Sequence, residues 1–171
     1  RRFIECGIAE ANAAAVAAGL AKSGHTVFLC SFACFSPAIN WAVIRQSICY
    51  QQLDVKIVGS HAGLMTGELG ATHQMLEDVA LMSTLPHMEV FAPVDALETQ
   101  KITAVLSRSR RPAYLRLVRP STPVLSNPKH NFTIGKSHLL KQGRHITVIG
   151  YGPVLNQAFT AQSQLSLQKP S

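Results

Sequence analysis

Carboxylates are scarce in this chain: nine acidic residues stand against sixteen lysines and arginines, giving a formal charge of +7 over 171 residues. No carboxylate cluster is available for a magnesium ion, which demands oxygen ligands in near-octahedral array, so no metal-ligating residue is assigned. The basic surplus suits phosphorylated or otherwise anionic partners. Nucleic acid is not expected among them, because apart from Arg108-Ser-Arg-Arg111 the basic residues are scattered, with no aromatic-interleaved stripe or zinc-finger spacing. The four cysteines, Cys6, Cys30, Cys34 and Cys49, lack paired metal-ligand spacing and sit in apolar surroundings, and are expected to be reduced core residues of a cytoplasmic protein. No apolar run reaches membrane-spanning length and the start is not a signal peptide, so no membrane partner is expected. A dinucleotide fingerprint is missing too: Gly150-Tyr-Gly152 lacks the third glycine and the later acid. Internal repeats and low-complexity tracts are absent.

What is present is apolar sequence, 47% of the residues, enough for one ordinary domain and a piece of a second. The chain opens with Arg1 rather than methionine, meets its first motif by Glu10 and stops soon after a new strand-helix signal, so a fragment of a larger enzyme is expected. Asn12 to Lys22 reads as a helix closed by Ser23-Gly24. Thr26 to Phe32 is a β-rich apolar run, the pattern of a strand buried on both faces. A helix follows from Ser36-Pro37 to about Ile48, then a short strand Val55–Val58 and a loop, Gly59 to His73, holding four glycines. A helix over Leu76–Leu85, a strand over Met88–Phe91, a helix over Ala96–Leu106 introduced by Asp95 and a strand over Ala113–Val118 complete the alternation. Such alternation predicts an α/β fold with a parallel sheet flanked by helices, binding ligands at the carboxyl ends of its strands. Pro120 to Gly143 reads as a linker, and His145–Gly150 with the helix after it as the start of a second α/β domain. The expected layout is therefore 1–119, a linker over 120–143, and a truncated 144–171.

Glu10 is a single carboxylate at the mouth of an alanine-rich helix, just after Gly7-Ile8-Ala9. It is either an ordinary first-turn acid, favoured there by the helix dipole, or a carboxylate placed against a ligand while the alanines let another element approach closely. Phe32 and Phe35 end a strand, where aromatic rings either fill a core or meet a flat ligand. His61 and His73 lie in or beside the glycine loop at a spacing that suits no zinc site.

Three motifs in order, Gly7-Ile-Ala-Glu10, Gly67-Glu-Leu-Gly-Ala-Thr-His-Gln74 and Tyr114-Leu-Arg-Leu-Val-Arg119, resemble the pyrimidine-binding domain of transketolases. The stretch from Val55 through Glu98, including Leu85-Pro-His-Met88 and Pro93-Val-Asp95, is similar to the same family, nearest to the carboxyl-terminal section of split bacterial and archaeal transketolases. The resemblance implies a thiamine diphosphate-dependent transferase of ketol groups, moving a two-carbon unit from a ketose phosphate to an aldose phosphate in the pentose phosphate pathway. By resemblance, Glu10 is the catalytic glutamate that shares a proton with the aminopyrimidine ring and favours its imino tautomer. An apolar wall from Ile8 and Ala9 would keep that proton available. Phe32 and Phe35 fall where the family places rings against the pyrimidine. His73 would contact donor hydroxyls near the reacting carbon, His61 the acceptor phosphate, and Arg119 a phosphate through its planar fork, with structural ion pairing as the competing role for Arg119.

Two positions depart from the family: Leu69 where many members carry an aspartate that reads a substrate hydroxyl, and Leu29 where a further aromatic is common. The family's Gly-Asp-Gly motif, which holds the diphosphate and its Mg2+ or Ca2+, is not in this sequence. The resemblance thus implies half a site, completed by a diphosphate-binding domain or subunit within a dimer or another homo- or hetero-oligomer. A 1-deoxyxylulose-5-phosphate synthase-like enzyme shares Gly-Ile-Ala-Glu and Thr-His-Gln and stays open as an alternative. So does a truncated, non-catalytic paralogue acting as an interaction subunit.

Overall fold

The structure, a computed structural model, describes residues 2–167; Arg1 and residues 168–171 lie outside the described residues. The chain divides into two compact units, one of residues up to Phe91 with Leu106–Pro120, the other of Ala92–Val105 with the chain from Ser121 onward.

The first unit is built on a parallel sheet of β1 (Val27–Phe32), β2 (Val55–Ser60), β3 (Glu89–Phe91) and β4 (Ala113–Arg116), in the order β1-β2-β4-β3. β2 and β4 are central, and Val55, Ile57, Ala113, Tyr114 and Leu115 are buried, as continuous apolar runs in parallel sheets should be. β1 departs from its expected burial on both faces. It is an edge strand, and its alternate residues Phe28 and Cys30 are exposed. The expectation for the cysteines needs the same correction: only Cys49 is buried, Cys6 and Cys34 are half-buried and Cys30 is exposed. Burial pushes the Cys49 thiol up to about 11, so it stays protonated and inert.

α1 (Glu10–Lys22) buries Ala14, Ala17, Ala18 and Ala21, a stripe at helical spacing on which Ile44, Ile48, Cys49 and the sheet can close. It ends as Ser23-Gly24 predicts: Gly24 takes φ +95°, its N–H donates to the Ala21 carbonyl, and His25 N–H reaches back to Leu20. The next helix begins later than Ser36. Residues 33–40 form consecutive turns bonded back to Phe32, Ala33 and Phe35, and only then does α2 (Trp41–Val43) start, running into a π-helical stretch over Ile44–Cys49. Asn40, buried at that junction, donates through Nδ2 to the Glu10 carbonyl at 3.0 Å and to Ser36 Oγ at 3.1 Å, tying the turns to the head of α1.

The glycine loop carries more structure than its composition suggests. Gly59 belongs to β2, paired with Ser31 and Arg116, and the space where its Cβ would stand is filled by the Tyr114 hydroxyl and ring. Leu64–Leu69 forms 3-10 turns broken at Gly67, which takes φ 71° and ψ −126°. Ala62 and Met75 make an isolated parallel bridge that pins the loop at both ends. α3 is shorter than the expected Leu76–Leu85 helix, running over Asp78–Ser83.

The second unit contains most of α4 (Ala96–Leu106), which coincides with its expected span. Asp95 explains the agreement: its Oδ1 accepts from Glu98 N–H at 2.8 Å while Glu98 Oε2 accepts from Val94 N–H at 2.7 Å, a reciprocal cap. Asp95 Oδ2 also accepts from the N–H groups of Leu125 and Ser126. The strand expected over His145–Gly150 does not form. Ile146, Val148 and Ile149 are exposed, and no described strand pairs with them. α5 (Leu155–Leu167) follows.

Candidate functional site

Parallel strands bring their carboxyl ends to one edge, and the register sets Phe32 of β1 opposite Ser60 of β2, one residue before His61. Phe32 stacks on His61 with ring centroids 3.9 Å apart, and lies parallel to Phe35 at 6.0 Å with 9° between the planes. His73 arrives from the far end of the glycine loop and sets its edge against Phe35 at 5.5 Å and Phe32 at 6.3 Å. Four residues singled out in the sequence, forty-one positions apart at the extremes, thus form one half-buried aromatic cluster. The plainer expectation for the phenylalanines, that both are simply core, does not describe them: each keeps part of its ring exposed.

Each histidine is oriented by a neighbour. His61 adopts φ 55°, a left-handed conformation uncommon for residues other than glycine, with Nδ1 3.1 Å from Ser60 Oγ and its carbonyl accepting from Thr66 Oγ1. Ser60 Oγ donates in turn to the Ser31 carbonyl on β1. His73 has Nδ1 2.9 Å from Thr72 Oγ1.

Glu10 opens α1 with its carbonyl fixed by Asn40 and its carboxylate close enough to Cys34, in the turn between the two phenylalanines, to act on that thiol. Burial is the main reason the Cys34 thiol is raised, with the Glu10 charge adding to it. The apolar wall expected from Ile8 does not form, since Ile8 is fully exposed. Of the two departures, Leu29 packs against the main core and Leu69 is exposed on the glycine loop.

Arg119 pairs with the glycine loop itself. Its Nη1 lies 2.6 Å from Glu68 Oε1 and donates to the Thr66 carbonyl at 3.2 Å. The hydrogen bond from Arg119 holds the Glu68 carboxyl below the usual carboxylate range. Both residues are on the surface side of the loop, with 39% and 77% of their side chains exposed.

Beneath the loop lies a group of residues that sequence reasoning passed over. Asp78 is fully buried, and its Oδ2 accepts from Tyr114 Oη at 2.7 Å and from Arg116 Nε at 2.8 Å. Burial and the Asp78 charge raise the Tyr114 hydroxyl far above its ordinary range, so it remains a donor. The Arg116 guanidinium presses on Gly63, where an added Cβ would stand 2.8 Å from Nη2. The signal was available: Tyr114 and Arg116 are two apart on one strand and therefore share a face. Among the described residues no group of three or more His, Cys, Asp or Glu side chains could hold a metal ion.

Comparison with known proteins gives the family. Residues 1–124 match the transketolase pyrimidine-binding domain family. A Methanocaldococcus jannaschii protein, named for a transketolase C-terminal section, is 39% identical over 162 residues, covering 94% of this chain and 51% of its own. A Phocaeicola vulgatus protein, named as one of the subunits of an apulose-4-phosphate transketolase, is also 39% identical, over 94% of this chain and 52% of its own. A solved structure titled a split gene transketolase, inactive β4 tetramer, superposes with a TM-score of 0.87 at 38% identity, covering 98% of this chain and 54% of its own. The chain thus spans about half the length of the curated relatives it matches.

Proposed function

The chain belongs to the transketolase pyrimidine-binding domain family, and on that premise we propose that it supplies the pyrimidine half of a thiamine diphosphate-dependent ketol-transfer site acting on sugar phosphates. The observation that carries the reading is the gathering of Phe32, Phe35, His61 and His73 at the carboxyl edge of a parallel sheet, with Glu10 at the neighbouring helix mouth. The residues present fit an aminopyrimidine: two parallel, part-exposed phenyl rings offer a flat apolar platform, and the Glu10 carboxylate is the acid beside their turn. Bound there, thiamine diphosphate would supply the nucleophilic carbon that takes up and hands on the two-carbon unit.

The chain's own residues have narrower tasks. Glu10 Oε holds a proton against a ring nitrogen of the pyrimidine. His73 and His61 donate to or accept from sugar hydroxyls and phosphate, as their tautomers allow, with Ser60 and Thr72 turning their rings. Arg119 takes a substrate phosphate. A diphosphate-binding domain or subunit completes the site and holds the divalent cation, Mg2+ or Ca2+, within a cytoplasmic oligomer of the pentose phosphate pathway. The solved relative titled an inactive β4 tetramer supports the need for that partner.

Two measurements test this. Calorimetry of thiamine diphosphate with magnesium should show binding only when a diphosphate-binding transketolase subunit is added to the chain. In that complex Glu10→Ala should cut turnover by about two to four orders of magnitude with folding retained. Unchanged turnover would remove Glu10 from the chemistry, and no binding in a properly folded complex would favour a non-catalytic paralogue.

A further inference from the structure

Arg119 is not idle where the structure places it. Its Nη1 meets both Glu68 Oε1 and the Thr66 carbonyl, and among the described residues nothing is bonded to Nε or Nη2. The Thr66 carbonyl orients the guanidinium plane, and Glu68 supplies a carboxylate oxygen to it, much as one oxygen of a phosphate would. Glu68 stands between His61 and His73 on the same loop, so it shares that loop with two residues of the candidate site.

The backbone lets this carboxylate move. Gly67, immediately before Glu68, breaks the 3-10 turns with φ 71° and ψ −126°, and Gly70, two residues after it, takes φ 76°. Glycine is the residue that crosses between such conformations at least cost. The Glu68 side chain is 77% exposed and keeps room to swing into solvent, whereas Thr66 is fully buried and fixed through its hydroxyl to the His61 carbonyl. The anchor and the moving part are therefore adjacent but distinct.

We propose that Glu68 is an internal competitor for the phosphate position on Arg119: it holds the guanidinium oriented, and a phosphate gains that guanidinium only by displacing it. The inference rests on the reading of Arg119 as a phosphate ligand and adds what regulates access to it. Glu68 sets an affinity ceiling for phosphorylated ligands, because each binding event must first break the pair and then bear the repulsion of a nearby carboxylate. Its benefit is orientation, since Arg119 is presented with its fork already turned.

The test uses the 171-residue chain and sulfate, a divalent anion whose charge is constant near neutrality, followed by inorganic phosphate. Backbone amide resonances of Thr66–Gly70 report binding at the site, and circular dichroism confirms that each variant is folded. Glu68→Gln should tighten sulfate about two- to fivefold, the scale of an exposed ion pair. Arg119→Gln should abolish the titration of these resonances, and Glu68→Gln should then restore nothing. If Arg119→Gln weakens the anion but Glu68→Gln binds it no better than the parent chain, the competitor is overturned and the phosphate reading stands. If Arg119→Gln leaves the titration unchanged, the phosphate reading itself fails, and the competitor with it.

Discussion

The two ends of the same sheet treat their polar groups differently. At the amino ends, Asp54 receives Thr26 Oγ1 at 2.7 Å, Lys56 Nζ at 2.6 Å and Arg110 Nη1 at 3.2 Å, and the fully buried Lys56 also donates to the carbonyls of Ser109 and Arg111. Asp54, Lys56 and Arg110 thus answer one another. At the carboxyl ends, Phe32, Phe35, His61 and His73 stay half-exposed, His61 holds a left-handed backbone, and the charged pair Glu68–Arg119 faces solvent. One end closes the sheet; the other buries the Asp78–Arg116 pair beneath its loop and leaves aromatic and titratable side chains part-exposed above it. That asymmetry is what a ligand-binding α/β edge requires, and it follows from the chain direction shared by all four strands.

Substitutions should separate the two ends. The largest stability loss is expected at the amino end. Lys56→Ala leaves the buried Asp54 carboxylate and two carbonyls without their common cation, at a cost of about 3 kcal/mol or somewhat more, read from the urea midpoint. Next comes Gly59→Ala, one residue before the last of β2, whose Cβ would overlap the Tyr114 hydroxyl that holds Asp78; about 1–3 kcal/mol is expected from the same assay. At the carboxyl end, Phe32→Leu removes a half-buried ring and its stacking on Phe35 and His61. Its stability cost should be near 1 kcal/mol, while thiamine diphosphate binding by the reconstituted complex weakens by about tenfold. If Phe32→Leu unfolds the chain as readily as Lys56→Ala, both ends are structural and the contrast collapses.

The parallel sheet, α1 and α4 were legible because they rest on local signals. Asp95 and Glu98 cap α4, Ser23-Gly24 stops α1, and β2 and β4 carry their apolar runs. What escaped depended on partners distant in sequence. β1 has the composition of a central strand, yet its rank at the sheet edge decides its burial. Residues 36–40 read as the start of a helix, but turns anchored by Asn40 to α1 take precedence. His145–Gly150 has strand composition and no neighbour to pair with among the described residues. The site divides the same way. Its aromatic and histidine members stood out as motif residues, whereas the Asp78–Tyr114–Arg116 support joins positions thirty-eight residues apart and left only a two-residue strand period to find it.

The smallest expected effect is the sharpest check on the contrast. Arg119 lowers the Glu68 carboxyl, so any stability this pair adds is present above the ordinary glutamate value of about 4.3 and is lost as pH falls through the lowered folded-state value. The pair is exposed and open to screening by salt, which leaves it little weight in the fold. At pH 7 Glu68→Gln should therefore shift the unfolding temperature by less than about 2 °C, even as it changes the anion titration of its own loop. A fall comparable to that of Lys56→Ala would make Glu68 a structural residue, and the exposed loop at the carboxyl end would then be held by the same kind of committed ion pairing as the amino end.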